Sequence, residues 1–283
     1  MKRLSPFLIL PSLMIGTSLW CQQTTALADL PDSPAPHLSV PDGLGGPGDM
    51  APNHHGYPTE REESWKALPK DFAHDQRLTW AVFPAQMATG HHWIPVLLTV
   101  GGTAGLLYAD PHIMNYFRSH EKNLSDLNST FSSGISAGEI AAVPVGLLAA
   151  GYMRHDPYEQ STALLCADAY VDSAIPPLAI KAIARRRRPS EVPPLTKFSD
   201  EFFKDSWYKG SSFPSGHAAA AWSVATVVAH RYSNHKWVPV LAYGMATVIS
   251  LSRITGEEHF PSDVFVGAVV GYTTAEYASL RPR

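Results

Sequence analysis

Long apolar segments follow one another along the chain from Trp65 onward, with no convincing strand alternation and no internal repeat. The predicted helices cover residues 78–89, 94–108, 113–120, 136–153, 158–187, 217–232, 237–253 and 262–280. A succession of helices without strands buries its apolar faces by helix-on-helix packing. The pattern therefore predicts an all-α fold, with a single helical bundle domain over residues 65–283.

The lengths of the apolar runs bear on whether this bundle crosses a membrane. The longest uncharged run, 93–109, falls near or below the roughly 18 residues expected for a span and contains several glycines. The run 140–153 is shorter still. With a mean hydropathy of −0.08 for the chain, the sequence favours a soluble periplasmic or secreted protein, with peripheral membrane contact left open.

The N-terminal 64 residues differ in character from the remainder of the chain. Two basic residues precede an apolar run from Leu4 to Trp20, and small residues follow at 26–28. This pattern predicts a secretory signal peptide over residues 1–28, with a retained membrane anchor as the alternative. Residues 29–64 are rich in proline and glycine, cannot fill a core, and are predicted to form a flexible linker.

Composition and charge narrow the possible partners and cofactors. Removal of the two basic residues in the signal peptide would leave 20 of the 22 Lys and Arg against 25 acidic residues, a formal charge of −5, which does not indicate a nucleic-acid partner. Processing would also leave Cys166 without a disulfide partner, as a small buried hydrophobe. The pairs His54-His55 and His91-His92 lack further ligands at a convincing spacing and are predicted to lie in loops.

Three short motifs, each near the end of a predicted helix, carry candidate chemistry. In the first, Lys181 and Arg188 are two helical turns apart on a segment that Pro189 closes, so both can reach one anion. Arginine offers a planar fork that suits phosphate oxygens, and lysine adds a mobile charge. Taken alone, a basic run such as 185–188 is more often a solvated helix end or a patch that touches membrane or nucleic acid.

The second motif, Pro214-Ser215-Gly216-His217, precedes an alanine-rich helical run. It therefore lies near a helix N-terminus, where unpaired N–H groups and the helix dipole favour an anion. Gly216 lets the backbone approach an oxygen closely, and Ser215 either caps the helix or donates its hydroxyl to a ligand. An ordinary N-cap explains this tetrapeptide equally well when it is considered alone.

The third motif begins with Ser252-Arg253 at the end of a helix that stops near Gly256. Asp263 follows His259 by four residues, so its carboxylate can accept a proton from one imidazole nitrogen and leave the other free to attack. Such a pair alone is more often a structural hydrogen bond. The occurrence of all three motifs in this order, each at a helix end, favours a shared phosphate site instead.

Together the motifs resemble the signature of the type 2 phosphatidic acid phosphatase superfamily, which also contains bacterial acid phosphatases and vanadium haloperoxidases. That signature reads K-x6-R-P, P-S-G-H and S-R-x5-H-x3-D. Every fixed position is present in this chain, as Lys181, Arg188, Pro189, Pro214, Ser215, Gly216, His217, Ser252, Arg253, His259 and Asp263. The resemblance covers roughly the C-terminal half and implies the helical bundle of that superfamily.

The resemblance also implies a role for each matching residue. His259 would be the nucleophile, Asp263 would orient it, and His217 would be the general acid that protonates the departing alcohol. The phosphoryl oxygens would be held by Lys181, Arg188, Ser215, Arg253 and the backbone N–H of Gly216. Because three cations can neutralise the oxygens, we expect a phosphohistidine mechanism without a metal or other cofactor, in which vanadate acts only as a phosphate mimic.

The predicted activity is the hydrolysis of phosphate monoesters or diphosphates, either lipid phosphates or small organic ones. One alternative is a vanadium-dependent haloperoxidase, because that branch uses the same cations and histidines. A second alternative is a non-enzymatic binder of anions or nucleic acid built on the basic run, which leaves His217, His259 and Asp263 unexplained. The sequence leaves the leaving group and the oligomeric state open.

Overall fold

The computed structural model describes residues 64–90, 93–120, 125–131, 133–197, 200–204 and 211–281. Within these ranges the chain forms helices and no strand, which confirms the prediction of an all-α fold. The signal peptide, nearly all of the linker and both histidine pairs, His54-His55 and His91-His92, lie outside the described residues. Their assignments stay predictions.

The helices are numbered here in chain order. They are α1 Leu68–Arg77, α2 Phe83–Ala88, α3 Trp93–Ser119, α4 Ser125–Thr130, α5 Ser133–Arg154, α6 Pro157–Ala184, α7 Gly216–Arg231, α8 Trp237–Thr255 and α9 Pro261–Thr274. Short π-helical segments, Leu78–Val82 and Ala275–Ser279, follow α1 and α9, and a 3-10 turn covers Pro189–Glu191.

Helix α7 is the central helix of the bundle. It contacts α6, α8 and α9, while α5 packs on α6 and α3 packs on α9. Most of its residues are buried, including the four consecutive alanines that begin at Ala218. Small side chains let neighbouring helices approach closely, and the N-terminus of α7 is therefore held between α6 and α9.

Two glycines in α9 make the closest approach to α7. A Cβ atom on Gly267 would lie 2.3 Å from the main-chain oxygen of Ser215, and one on Gly271 would lie 2.0 Å from that of Ala219. Both distances are far below van der Waals contact, so any side chain here would force the helices apart. The glycines thus fix the first turn of α7 against the first half of α9.

The predicted break between helices at residues 109–112 is wrong, because α3 runs without interruption from Trp93 to Ser119 through Pro111. Proline removes one backbone hydrogen bond from a helix interior. Asp110, Met114 and Phe117 lie at i, i+4 and i+7 and are all buried, so packing on both sides of the proline stabilises the continuous helix.

The predicted end of α6 is also wrong. The helix stops at Ala184 rather than at residue 187, because Arg185 adopts a left-handed conformation with φ 43°. Arg188 then lies in extended backbone with φ −77° and ψ 156°. Lys181 and Arg188 therefore do not share a helical face as predicted, and the turn at Arg185 sets their relative position.

Four helices, α3, α5, α6 and α8, are long and apolar enough to cross a membrane. Only 6% of the apolar window of α3 and 17% of that of α5 is buried against protein. Exposed apolar side chains on α3 include Trp93, Leu97, Leu98 and Val100. The sequence-based preference for a soluble protein fits poorly with these helices. That preference relied on the uncharged run 93–109, which ends before Asp110, whereas the helix itself continues to Ser119.

Candidate active site

Site residues of the second and third motifs are anchored by one buried apolar cluster. Ala218, Ile254 and Phe260 belong to this cluster, together with Met114 and Phe117 of α3. The first three directly follow three of the predicted site residues, His217, Arg253 and His259. Burial of each apolar neighbour therefore holds the adjacent polar residue at the same end of the bundle.

His259 lies in the connection between α8 and α9 and is 4% exposed. Its Nδ1 lies 2.7 Å from the main-chain oxygen of Ser212 and 3.7 Å from Oδ2 of Asp263. The closer contact is a hydrogen bond, whereas the longer one is an ion-pair distance. Because a carbonyl oxygen only accepts, Nδ1 carries the hydrogen and Nε2 carries the lone pair.

Burial and the neighbouring charges favour the neutral form of His259. Burial lowers the pKa of its imidazole; Asp263 opposes this shift, while the positive charges of Lys181 and Arg188 reinforce it. A neutral imidazole with a lone pair on Nε2 can act as a nucleophile.

Asp263, predicted to orient His259, is fully buried in the first turn of α9. Its Oδ2 accepts hydrogen bonds from the hydroxyl of Ser212 and, at 2.8 Å, from the backbone N–H of Phe260. Burial alone would raise the pKa of Asp263, but Arg186, then His259 and the bond from Ser212, hold that pKa below its ordinary value. The carboxylate form of Asp263 is therefore favoured, and it lies beside both His259 and Ser212.

Arg186, which the sequence reasoning did not single out, supports this carboxylate. Its guanidinium is 1% exposed and lies 2.6 Å from Asp263, 2.8 Å from Asp110 and 2.6 Å from Glu201. It also stacks on the ring of Phe260, with 3.7 Å between Cζ and the ring centroid. The basic run thus contains one fully buried member and is not simply a solvated helix end.

Two of the predicted phosphate-binding cations come from the first motif. Lys181, in the last turn of α6, donates from Nζ to the main-chain oxygen of Ser211 at 2.6 Å. Arg188 is partly exposed, with 37% of its side chain accessible, and its Nη1 forms an ion pair with Glu258. Both lie within electrostatic range of His259.

Arg253, the third predicted cation, is 2% exposed near the end of α8 and donates from Nε and Nη2 to the hydroxyl of Ser252. Its main-chain oxygen accepts from the backbone N–H of Glu258 at 3.0 Å and of His259 at 3.1 Å. Arg253 therefore shapes the turn that presents His259. Glu258 lies within electrostatic range of both Arg253 and Lys181, so this carboxylate faces all three cations.

The second motif is placed as predicted at the N-terminus of α7. Ser215 is the N-cap, and its hydroxyl accepts from the backbone N–H of Ala218 at 3.3 Å, which leaves the hydroxyl hydrogen available to a ligand. Gly216 and His217 form the start of the helix and are both half-buried. The backbone N–H of Ser215 donates to the main-chain oxygen of Asp263 at 2.9 Å, which joins the second motif to the third.

Arg118, at the end of α3, connects the segment that follows the first motif with the third motif. Its guanidinium donates to the main-chain oxygens of Pro189 and Val192 and forms an ion pair of 2.9 Å with Glu257. Among the described residues, sequence reasoning missed this residue and also Asp110, Glu201, Ser212 and Glu258. A signal existed for Asp110, since an acid in the middle of a long apolar helix requires a partner.

A separate group of three buried aspartates lies away from the motifs. Carboxylate oxygens of Asp75, Asp168 and Asp172 come within 4.8 Å of one another, and Gln76 donates to Asp172 at 2.7 Å. Asp172 precedes Lys181 by nine residues on α6, or about 14 Å along the helix. Cys166 is buried on the same helix with a free thiol, as predicted.

The arrangement of the site can attack and stabilise a phosphoryl group. Nε2 of His259 supplies a lone pair, and Lys181 and Arg188 supply positive charge near the imidazole. Arg253 lies within electrostatic range of Glu258, as Lys181 does. The N-terminus of α7 adds oriented N–H groups.

Parts of the chain are similar to known proteins. Residues 162–280 match the model of the PAP2 superfamily. A lipid A 1-phosphatase from Porphyromonas gingivalis is 40% identical over 67 residues, which are 23% of this chain and 15% of that protein. A crystal structure of a transmembrane PAP2 type phosphatidylglycerolphosphate phosphatase from Bacillus subtilis superposes with a TM-score of 0.42 and 19% identity, over 72% of this chain and 92% of the other.

Proposed function

We propose that this chain, whose residues 162–280 match the model of the PAP2 superfamily, is a membrane-embedded phosphatase that hydrolyses a phosphorylated lipid through a phosphohistidine on His259. The observation that carries the proposal is the contact between Nδ1 of His259 and the carbonyl of Ser212. This contact assigns the hydrogen to Nδ1 and leaves the lone pair on Nε2. A nucleophilic nitrogen among three cations suits attack on phosphorus.

In the first step, the lone pair of Nε2 forms the N–P bond while the bond from phosphorus to the leaving oxygen breaks. His217 gives its proton to that oxygen, so the alcohol leaves neutral. The imidazole retains the hydrogen on Nδ1 and becomes positively charged. The carboxylate of Asp263, 3.7 Å from Nδ1, stabilises this charge.

In the second step, a water molecule attacks phosphorus and His217 takes one of its protons. The N–P bond breaks, its electron pair returns to Nε2, and inorganic phosphate leaves. Lys181, Arg188 and Arg253 hold the equatorial oxygens in both steps, with the hydroxyl of Ser215 and the N–H of Gly216. Since these groups neutralise the developing charge, the reaction requires no metal ion.

The lipid substrate is proposed on two grounds. The face of α3 carries exposed apolar side chains along a helix long enough to span a bilayer, which suits contact with hydrocarbon. The segment shared with the lipid A 1-phosphatase comes from an enzyme named for a phosphorylated lipid. A site at one end of a set of spanning helices would lie near the membrane surface, where lipid phosphates lie.

The test is phosphate release by the purified full-length protein in detergent with a chelator present. Substrates are phosphatidic acid, a polyprenyl diphosphate and p-nitrophenyl phosphate. We expect release from a lipid phosphate and loss of about 1,000-fold or more in His259→Ala. His230→Ala, a change of an exposed histidine on α7, is the matched control and should remain fully active.

Acid-labile and base-stable labelling of the wild type by a radioactive phosphoryl donor, lost in His259→Ala, would identify the intermediate. Normal turnover by His259→Ala would overturn the assignment of the nucleophile. Activity that disappears with the chelator and returns with a divalent metal would overturn the metal-independent mechanism. Bromide oxidation with vanadate and peroxide, in the absence of phosphate release, would overturn the phosphatase itself.

A further inference from the structure

Arg186 connects segments that are far apart in the sequence. Its Nη1 donates to Oδ1 of Asp263 at 2.6 Å and to the hydroxyl of Ser262 at 2.7 Å, both in the first turn of α9. Its Nη2 donates to Asp110 of α3 at 2.8 Å and to Glu201 at 2.6 Å. One planar guanidinium thus holds three carboxylates in fixed directions.

The main chain of the same residue holds Ser212. The oxygen of Arg186 accepts from the backbone N–H of Ser212 at 2.8 Å, and its N–H donates to the hydroxyl of Ser211 at 2.7 Å. Ser212 in turn contacts Nδ1 of His259 with its carbonyl and Asp263 with its hydroxyl. Both groups that face Nδ1 of His259 are therefore bound to Arg186.

We propose that Arg186 is a positioning residue for phosphoryl transfer, whose guanidinium holds Asp263 and whose main chain holds Ser212, so that both fix the ring of His259. The inference rests on the proposed function, because it assigns to Arg186 a part in the same reaction. Arg186 does not itself contact the phosphoryl group. It sets the direction of the Nε2 lone pair, on which the rate of attack depends.

A purely stabilising role fits the network less well. Burial of four charged groups carries a large desolvation cost, and apolar residues of the same volume often stabilise a fold equally well or better. What apolar residues cannot do is fix the direction of a carboxylate beside a histidine. The burial of Arg186, Asp110 and Glu201 at 1%, 0% and 2% exposure therefore favours positioning.

Arg186 also affects the charge at the nucleophile. The groups that face Asp263 are Arg186, His259, Lys181 and Asp110, and its ion pair with Arg186 is the main cause that keeps the pKa of Asp263 low against the effect of burial. Loss of this positive charge would raise the pKa of Asp263 and, through reduced repulsion, that of His259. The acid limb of the rate profile should then move to higher pH.

The experiment compares Arg186→Gln and Arg186→Lys in the full-length protein in detergent. Arg187→Gln is the matched control, since Arg187 is the exposed neighbour in the same run. Arg188→Gln is the reference for loss of a phosphate-binding cation. Turnover per folded molecule, KM, the inhibition constant of vanadate, the pH profile and the melting temperature are measured for each variant.

We expect Arg186→Gln to lower kcat by about 100-fold, the effect of misplacing a reacting group by about 1 Å, with KM and vanadate inhibition little changed. The acid limb of the pH–rate profile of Arg186→Gln should lie at higher pH than that of the wild type. Arg186→Lys should recover part of kcat, because lysine restores the positive charge but not the planar array of donors. Arg188→Gln should instead weaken the inhibition by vanadate. Arg187→Gln should behave as wild type.

Weakened vanadate binding in Arg186→Gln, to the extent seen in Arg188→Gln, would make Arg186 a phosphate ligand and overturn the proposal. A normal kcat per folded molecule in Arg186→Gln would show that Arg186 serves only the stability of the fold, and would also overturn the proposal. If Arg186→Gln does not fold, Arg186→Lys decides, since a normal kcat and pH profile in that variant would also overturn the proposal. Phosphate release by the wild type and by Arg187→Gln tests the proposed function separately.

Discussion

Nδ1 of His259 lies 2.7 Å from the main-chain oxygen of Ser212, whereas Oδ2 of Asp263 is 3.7 Å away. The sequence spacing had suggested the opposite order, with the carboxylate as the direct acceptor. The carbonyl fixes the tautomer, and the carboxylate supplies negative charge where the imidazole becomes positive. The nearest acceptor and the nearest negative charge at Nδ1 therefore come from two different residues.

This separation predicts different results for Asp263→Asn and Ser212→Ala. The first change removes the ion pair with Arg186 and the negative charge that, in the proposed mechanism, stabilises a phosphorylated imidazole, so kcat should fall by about 1,000- to 10,000-fold. The second removes only a hydroxyl and keeps the carbonyl, so its effect should be much smaller. Single-turnover rates of phosphoryl transfer measure both, and equal losses in the two variants would contradict the assignment.

The pH dependence follows from the state of His259. Burial lowers the pKa of its imidazole, and this shift is reinforced by Lys181 and Arg188 and only partly opposed by Asp263. Neutral His259 therefore persists below the ordinary histidine value, and the acid limb of kcat/KM should lie below about pH 6.5. An acid limb of kcat/KM at or above the ordinary pKa of histidine would contradict the burial of His259 seen in the structure.

Glu258 is an acid among the three cations predicted to bind phosphate. Its carboxylate contacts Arg188 and faces Lys181 and Arg253, so under the proposed function a phosphoryl group would compete with it for these cations. Glu258→Gln should therefore lower KM and tighten vanadate inhibition. Glu257→Gln is the matched control, because the neighbouring carboxylate pairs with Arg118 instead. A higher KM in Glu258→Gln would mean that Glu258 assists binding.

The local motifs could be predicted from the sequence because their geometry depends on short spacing. Ser215 caps α7, and α8 stops at Thr255 before Gly256, as the residue types indicate. Arg186 could not be distinguished from its basic neighbours, because its burial depends on Asp110, 76 residues away. Likewise, nothing local in the sequence predicts the left-handed turn at Arg185 that ends α6 early.

The close contact between α7 and α9 predicts an effect on both stability and activity. Gly267→Ala would place a Cβ atom 2.3 Å from the main-chain oxygen of Ser215, so the cap of α7 must shift. We expect destabilisation by about 1 to 3 kcal/mol, together with reduced kcat. Gly244→Ala on α8 is the control, since a Cβ there meets nothing within 4 Å. Melting temperatures and phosphate release check both, and an unchanged melting temperature in Gly267→Ala would contradict the packing.

The apolar face of α3 predicts how the protein behaves in cells. With 6% of the apolar window of α3 buried, that surface requires an apolar covering, which hydrocarbon or detergent supplies for a membrane-embedded enzyme. The protein should therefore stay in the membrane pellet through washes with high salt and alkaline carbonate, and should dissolve in non-ionic detergent. A peripheral protein would be released by carbonate, because such a wash disrupts surface attachment and leaves spanning helices in place. Release into the supernatant would thus contradict the membrane-embedded enzyme and restore the soluble interpretation, in which a partner of other chemistry covers Leu97, Leu98 and Val100.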